Sequence, residues 1–313
     1  MRKLIFTLSV LFIAFSLTAQ QKSKKQKNDH WKNGGFISLN AGQGGGRNWA
    51  PGAERFSFQG SAMFNYFANY KKDKHSLENE VDLAYGMVNT TSGGIRKSQD
   101  KIDVLSKYGY AISDKVKIGG WFNLRTQFSD GFDYSESPRR RISGIMAPGY
   151  ITLAPGFEWI PCKSGNLTIF ATPVMARMVV VTNRPYSYNY QGGVKPDGSN
   201  ERSLADKYGI DPERQVDGQV GAMASIGYKK TELIKNVDLR TRIDFFTDYI
   251  DKEPWNVDVF LNSLLTMKVN NWLQVTYSFS LIYDDNQKQF GPLKNKAEAQ
   301  MNSMLGVGLC TNF

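Results

Sequence analysis

Alternating apolar and polar positions dominate this chain, and the clearest run lies between Val237 and Tyr249. Its odd positions carry apolar residues or threonine, whereas most even positions are charged. A side-chain period of two predicts a β-strand with one apolar face. Strands usually have about five or six residues, so the length needs explaining. The charged face would meet bulk water in a soluble sandwich, but it would line the lumen of a membrane barrel whose apolar face contacts lipid.

Similar segments recur to the end of the chain. One of the cleanest, 56–70, places Phe58 and Phe64 on one face and polar residues on the other. Two others contain Pro155 and Pro173, which indicate bulges or weakened pairing. About twelve strands are expected by this criterion. They are predicted at 35–43, 56–70, 77–87, 102–112, 116–128, 150–160, 167–181, 219–228, 237–249, 257–269, 273–284 and 304–313.

The connections between these segments also indicate a barrel. Connections after even-numbered segments are short, whereas most of those after odd-numbered segments are long, including 89–101, 129–149 and 182–218. Short periplasmic turns alternating with long outer loops are typical of outer-membrane barrels, and an even strand count places both termini in the periplasm. Closure is required because an open sheet edge in lipid leaves backbone groups unpaired. We therefore predict an all-β fold, a transmembrane antiparallel up-and-down β-barrel of about twelve strands.

The chain begins with a different pattern. Residues 1–19 have the charged start, apolar run and small-residue end of a signal peptide. Residues 20–34 are polar and basic and are predicted to form a disordered periplasmic tail. The predicted organisation is a signal peptide (1–19), this tail (20–34) and an outer-membrane barrel domain (35–313). The expected location is the outer membrane of a Gram-negative bacterium.

Composition changes this picture little. The chain is 41% hydrophobic with a mean hydropathy of -0.41, which is too polar for a helical membrane protein but compatible with a barrel. The net charge of +10 is concentrated in the first residues and in scattered loops. No basic helix or nucleic-acid motif accompanies it, so we expect no nucleic-acid partner. The two cysteines, Cys162 and Cys310, could pair in an oxidising compartment, but two unpaired small residues are the favoured interpretation.

The polar faces of the predicted strands carry both signs of charge. These side chains either select a solute or form internal salt bridges that hold the barrel shut, and the second interpretation is slightly favoured. About twelve strands lie between a filled barrel and an open channel, so strand number does not decide. The candidate lumen-lining residues are Glu78, Glu80, Asp82, Asp103, Lys107, Arg125, Asp238, Arg240, Arg242, Asp244 and Asp248.

Three consecutive basic residues, Arg139, Arg140 and Arg141, fall in a long predicted loop. A solvated loop is the favoured interpretation of this cluster. The alternative is an outer-loop contact with the anionic phosphates of lipopolysaccharide or with an acidic partner.

Catalytic chemistry is not expected. A barrel hydrolase would need a histidine base near the outer rim, but His30 lies in the tail and His75 in a predicted short turn. The carboxylates at Asp284 and Asp285 could hold calcium, although a turn is favoured because they lack EF-hand spacing. We predict no enzyme activity, no cofactor and no metal.

Short motifs spread along the chain also carry a resemblance. They are W-K-N-G-G at Trp31, S-L-N at Ser38, N-W-A-P-G at Asn48, F-A-N-Y-K-K at Phe67, D-L-A-Y-G at Asp82, K-Y-G-Y at Lys107, N-L-R-T-Q-F at Asn123, M-A-P-G-Y at Met146, L-I-Y-D-D at Leu281 and L-G-V-G at Leu305. In this order they resemble an uncharacterised outer-membrane β-barrel family of Gram-negative bacteria, a domain of unknown function. The resemblance implies a membrane barrel and no particular reaction.

Two functions remain open at this point. One is a narrow pore or small-solute transporter with a mixed-charge lumen, and the other is a non-conducting structural or accessory subunit of a larger outer-membrane complex. An outer-membrane enzyme is the weakest hypothesis. The expected partners are outer-membrane lipid and lipopolysaccharide, the barrel-assembly machinery during insertion, and other outer-membrane proteins.

Overall fold

The computed structural model describes residues 30–45, 56–134, 140–182, 204–211, 214–251, 253–288, 290–291 and 296–313. The expected signal peptide and most of the expected basic tail lie outside these residues. The described strands and helix are β1 (Trp31–Gly44), β2 (Ser57–Lys72), β3 (His75–Thr90), β4 (Gly94–Ala111), β5 (Val116–Thr126), β6 (Gly131–Asp133), β7 (Arg140–Ser143), β8 (Gly149–Trp159), β9 (Leu167–Val180), α1 (Leu204–Lys207), β10 (Val216–Ile234), β11 (Val237–Asp248), β12 (Asp258–Lys268), β13 (Leu273–Tyr283) and β14 (Gln300–Asn312). Among the described residues, no helix is long and apolar enough to cross a membrane.

Twelve of these strands close into one antiparallel barrel, in the order β1-β14-β13-β12-β11-β10-β9-β8-β5-β4-β3-β2. Pairing of β1 with β14 completes the ring, from Phe36 opposite Asn312 to Ala41 opposite Val307. Consecutive barrel strands are neighbours throughout, so the topology is up-and-down. The predicted fold class is confirmed. Each predicted strand corresponds to one barrel strand.

The outer surface of the barrel is apolar. Large hydrophobic side chains on alternate positions stay exposed, such as Leu153 at 57%, Leu305 at 64% and Val307 at 49%. Burying apolar area from water is favourable at about 25 cal/mol per Å², so a belt of this kind would be costly in water. In lipid it is the expected surface of a barrel.

A register shift occurs near each of the two prolines at which irregular pairing was predicted, Pro155 and Pro173. The register between β8 and β9 shifts between Leu153 and Phe157, around Pro155. The register between β9 and β10 shifts between Gly221 and Met223, on the side facing Pro173. Proline has no N–H to donate to a sheet, so pairing is interrupted there. The predicted irregularities are confirmed.

The predicted long loop at 89–101 is wrong. There β3 continues to Thr90 and β4 begins at Gly94, whose φ of +64° suits a tight turn. The segment lacks an apolar face, so the alternation of apolar and polar residues did not predict it as strand. Backbone pairing between β3 and β4 extends this hairpin beyond the part predicted to face lipid. The loop predicted at 129–149 contains a small hairpin of β6 and β7, and α1 lies within the loop predicted at 182–218.

The two ends of the barrel differ. We call the end with the tight β2–β3, β4–β5, β8–β9, β10–β11 and β12–β13 connections the short-turn end, and the other the long-loop end. The last residue, Phe313, lies at the short-turn end, where its backbone exchanges two hydrogen bonds with Gly35. Strand β1 begins at Trp31, four residues before the predicted barrel boundary at 35. The first and last barrel strands therefore meet at the short-turn end.

Candidate functional site: the lumen

Alternation places the charged side chains of the barrel strands on the inside. The even positions of β3 and β11 and the odd positions of β4 and β5 face the lumen, and their neighbours face outward. Lumen positions are therefore set by strand register rather than by any compact motif. The barrel brings nine of the eleven candidates into two ion-paired groups, and Asp238 forms a separate pair with Lys268. Asp248 stands apart at the end of β11, where its carboxylate accepts the N–H of Ile250.

The first group, which we call the lower ion cluster, lies near the short-turn end. Lys107 Nζ is 3.0 Å from Glu78 Oε2 and 2.5 Å from Glu158 Oε1. Lys117 Nζ is 3.3 Å from Glu78 Oε1 and 3.0 Å from Glu158 Oε2. Two ammonium groups on the neighbouring strands β4 and β5 each contact the carboxylates on β3 and β8, so the four charges balance.

The second group, which we call the cross-lumen ion pairs, joins β11 to strands on the opposite wall. Arg240 contacts Glu80 and lies 3.7 Å from Asp82. Further along β11, Arg242 Nη2 is 2.5 Å from Asp103 Oδ2. These pairs join β11 to β3 and β4, which are not its sheet neighbours. They cross the lumen and divide it.

Asp244 extends this bridge to β5. It contacts Arg125, and its other oxygen accepts a 2.6 Å hydrogen bond from Ser225 Oγ. Asn123 Nδ2 donates a 2.6 Å hydrogen bond to Asp103 Oδ1. Breaking a buried pair by removing one partner leaves an uncompensated charge, at a cost of about 3–5 kcal/mol. The bridge is therefore a structural cross-brace.

Apolar side chains fill the lumen around the cross-lumen ion pairs. The buried cluster consists of Leu105, Trp121, Ala154, Phe170, Met175, Met223 and Phe246. The rings of Trp121 and Phe170 lie 5.2 Å apart. Arg242 lies over Trp121, with 5.9 Å from its Cζ to the ring centroid. The middle of the barrel is therefore a packed layer.

A second buried arginine lies closer to the long-loop end. Arg177 Nη2 is 2.5 Å from Asp258 Oδ2, and both side chains are only 4% exposed. Its guanidinium also lies 4.0 Å from the centroid of the Phe246 ring and donates to Gln219 at 2.5 Å. Arg177 is not among the lumen-lining residues predicted from the sequence, because Pro173 disturbs the alternation of its strand. Counting alternate positions of β9 from the bulge would have placed Arg177 on the inward face.

Asp258 also belongs to an acidic group with Asp284 and Asp285, whose carboxylate oxygens lie within 4.8 Å of one another. Protein donors already occupy it, including Gln287 Nε2 to Asp284 at 3.1 Å and Asn256 Nδ2 to Asp285 at 2.8 Å. Asp284 follows the last residue of β13, and burial raises the pKa of its carboxyl. The turn predicted here is present, with Asn286 N donating to Asp284 Oδ1.

Residues 204–211, which include α1 and which we call the plug, pack against barrel residues at the long-loop end. Leu204 and Ala205 are fully buried, and Ile210 is 2% exposed. They pack with Ala147, Val179 and Val181, and against Tyr150 and Tyr208. The Tyr208 hydroxyl donates a 3.0 Å hydrogen bond to Ile142 O, and burial raises the pKa of its phenol. The plug therefore contributes a buried apolar cluster at the long-loop end of the barrel.

Between the packed middle layer and the short turns the lumen widens into a cavity of about 370 Å³. Its wall includes Asn166 in the β8–β9 turn, and Trp121 lies at its inner limit. The side chain of Glu78 is 37% exposed here, whereas that of Asp103 is 4% exposed. Exposure therefore falls inward from the short-turn end, so water reaches the cavity from that side.

The remaining candidates lie apart from the cavity. Asp238 pairs with Lys268 at 2.7 Å, beside the short-turn end. Of the loop arginines, Arg139 and the side chain of Arg140 lie outside the described residues, whereas Arg141 Nη2 pairs with Asp130 at 2.6 Å. His75 begins β3, with Nδ1 2.7 Å from the hydroxyl of Tyr108 on the outer face. Cys162 and Cys310 are free, so they do not pair with each other.

Several lumen residues were missed in the sequence analysis. Glu158, Lys117 and Lys229 occupy inward positions, but each falls at the end of a predicted segment or just beyond it. They could have been identified from the sequence, because each occupies the same alternate positions as the lumen-facing residues of its strand. Their ion pairs, however, depend on which strands face each other, and one sequence does not contain that information.

Comparison with known proteins supplies one sequence match. A family described as "Protein of unknown function (DUF3078)" matches residues 41–132, from within β1 to β6. The motifs at Asn48, Phe67, Asp82, Lys107 and Asn123 fall inside this range, and the others fall outside it. No curated protein matches the chain.

Solved barrels give only distant matches. They include the translocator domain of the autotransporter NalP from Neisseria meningitidis, at 10% identity over 97% of this chain and 98% of that chain, with a TM-score of 0.41. An outer membrane channel from Pseudomonas putida F1 matches at 9% identity over 91% of this chain and 96% of that chain, with a TM-score of 0.38. The Pseudomonas putida toluene transporter TodX matches at 11% identity, 90% and 79% coverage, and a TM-score of 0.32. At these values no function transfers. The expected resemblance to an uncharacterised outer-membrane barrel family is confirmed, by sequence over residues 41–132 and by architecture over the barrel.

Proposed function

We propose that this protein is a non-conducting outer-membrane barrel that serves as a structural or accessory component, not an open pore. The observation that carries the proposal is the division of the lumen by the cross-lumen ion pairs of Arg240 and Arg242. An ion passing this layer would have to separate charge pairs that are held inside the barrel. A conducting pathway requires continuous water-filled space along the lumen.

The plug supports the same proposal. Leu204 and Ala205 fill the long-loop end with apolar surface, and a hydrophobic constriction of this kind excludes water and ions. We orient the short-turn end and both chain termini toward the periplasm, because short turns are on that side in outer-membrane barrels. Lipid and lipopolysaccharide then surround the belt, and other outer-membrane proteins are the partners of the accessory role.

Planar-bilayer recording of the purified protein tests this proposal. We expect a silent bilayer for the wild type and for the control Lys115→Gln, whose site is in the β4–β5 turn. Stable unitary steps in the wild type that disappear in Arg240→Gln/Arg242→Gln would overturn it. Affinity purification from the membrane should recover other outer-membrane proteins, and recovery of this chain alone would contradict the accessory role.

The cavity favours a second function, a small-solute transporter. Its volume of about 370 Å³ lies within the range of about 300–1,000 Å³ typical of ligand sites. Transport would require the cross-lumen ion pairs to separate and the plug to move. Solute uptake into proteoliposomes that stops when the plug is cross-linked to the barrel would favour this function over the non-conducting one.

A further inference from the structure

The charges around the cavity are unequally paired. Each of its five carboxylates, on Glu78, Glu80, Asp82, Asp103 and Glu158, lies within 4.0 Å of a lysine or arginine nitrogen. Each of these acids therefore already has a cationic partner in the protein, and Glu80 and Asp82 share Arg240. A cationic ligand would have to displace a lysine or arginine from them.

Two lysines that line the cavity, Lys229 on β10 and Lys101 on β4, differ from the others. Among the described residues, neither Lys229 nor Lys101 has a carboxylate oxygen within 4.0 Å. Lys229 is exposed and faces the lumen from β10 near the short-turn end. Its ammonium can therefore bind an incoming anion without first breaking a salt bridge. Lys229 and Lys101 are therefore the cations of the described cavity lining that lack a carboxylate partner at this distance.

Aromatic surface lies beside this ammonium. Lys229 Nζ lies 4.8 Å from the centroid of the Phe67 ring, and Phe36 also lines the cavity. The Phe67 ring packs over Gly34, where an added Cβ would be 3.0 Å from it. The ring therefore rests on backbone and presents a fixed apolar surface. An ammonium at this distance is attracted to the ring face, so Lys229 and Phe67 lie together at one place in the cavity.

We propose that the cavity binds a small aromatic carboxylate from the short-turn side, with the carboxylate on Lys229 and the ring against Phe67 and Phe36. The inference rests on the proposed non-conducting barrel, because a cavity closed at the cross-lumen ion pairs retains a ligand that an open channel would release. Lys101 lines the cavity from β4 and adds a second cation without a carboxylate partner. Phe170 and Leu264 extend the apolar surface.

Equilibrium dialysis with radiolabelled benzoate tests the site. The purified protein is held in non-ionic detergent micelles at neutral pH, where benzoate is charged and partitions poorly into the micelle. We expect saturable binding of one benzoate per chain, weakened by added salt because the attraction is electrostatic. Acetate should compete poorly because it lacks the ring, and benzylamine should not compete because its charge is opposite.

Two lysine variants make the test specific. Lys229→Gln should weaken benzoate binding at least about tenfold, as expected for losing a charge-assisted hydrogen bond. Lys235→Gln, in the β10–β11 turn of the same hairpin, should leave it unchanged. Both should show the heat-modifiable gel migration of the wild type, which establishes that the barrel is folded.

Several outcomes would overturn the inference. They are absence of saturable benzoate binding by the folded wild type, equal affinity in Lys229→Gln, or effective competition by benzylamine or acetate. The bilayer recording separates this inference from the proposed function. A silent bilayer without benzoate binding overturns only the ligand site, whereas wild-type conductance overturns the proposed function.

Discussion

Arg242 on β11 reaches across the lumen to Asp103 on β4, with 2.5 Å between Nη2 and Oδ2. The two strands share no sheet hydrogen bonds. Asp103 is 4% exposed, and it also lies 3.7 Å from Arg125 Nε. One carboxylate therefore holds two guanidinium groups from opposite walls. This relationship makes the ion pair a brace of the closed barrel, and its removal is the most direct test of that role.

Asp103→Ala should lower the free energy of unfolding by about 3–5 kcal/mol, because it leaves Arg125 and Arg242 with only the Asp244 carboxylate between them in a poorly solvated interior. Tryptophan fluorescence during denaturant unfolding in micelles measures the change. The double variant Asp103→Ala/Arg242→Ala should be more stable than the sum of the two single effects predicts, because the two residues are coupled.

The control for this prediction is Lys115→Gln in the exposed β4–β5 turn, which should change stability by less than about 0.5 kcal/mol. Strict additivity of the two single variants would show that the pair contributes no coupling. In that case the contact between Asp103 and Arg242 would not stabilise the barrel.

Leu153→Arg tests the lipid-facing belt. Leu153 lies near the middle of β8 and is 57% exposed, so it would contact the hydrocarbon region. Arginine there should destabilise the barrel in lipid vesicles by about 2–4 kcal/mol, as measured by reversible denaturant unfolding. Ile250→Arg is the matched control, because Ile250 is exposed beyond the end of β11 and should tolerate the charge. Equal stability of the two variants would contradict the assignment of this face to lipid.

Gly221 and Gly218 on β10 provide a matched pair. A Cβ on Gly221 would overlap the carbonyl oxygen of Thr247 on β11, whereas nothing lies within 4 Å of a Cβ on Gly218. Gly221→Ala should therefore separate β10 from β11 next to the β9–β10 bulge. We expect lower refolding yield and a lower thermal midpoint on heat-modifiable gels. Gly218→Ala should behave as wild type, and a wild-type midpoint for Gly221→Ala would show that the strands do not approach so closely.

Tyr208 predicts an alkaline weakening of the plug. Burial raises the pKa of its phenol, so the folded state favours the neutral form. The stability that the buried neutral phenol contributes is fully present below about pH 10, the ordinary pKa of tyrosine. It is lost as the pH rises toward the pKa of the phenol in the folded protein. Thermal stability of the wild type should therefore fall more steeply above pH 10 than that of Tyr208→Phe.

The control for the alkaline experiment is Tyr249→Phe, at an exposed tyrosine beyond the end of β11. It should retain the steep alkaline loss of the wild type. Parallel stability curves for wild type and Tyr208→Phe above pH 10 would contradict the burial of the phenol. Absorbance at 295 nm measures tyrosinate formation in the same samples.

The sequence by itself determined the barrel strands, their number and their two faces. Side chains at odd and even positions of a strand point to opposite faces, and exchanging the two faces would place charged side chains in lipid. It also predicted the irregularities at Pro155 and Pro173, since a missing N–H is a local property. It failed at 89–101, where a hairpin without an apolar face is held by backbone pairing. Only the tertiary structure decided which charges meet. Arg242 finds Asp103 across the lumen through ring closure and shear, which bring together residues 139 positions apart. The plug and the pairing that leaves Lys229 free of a carboxylate depend on that same three-dimensional closure.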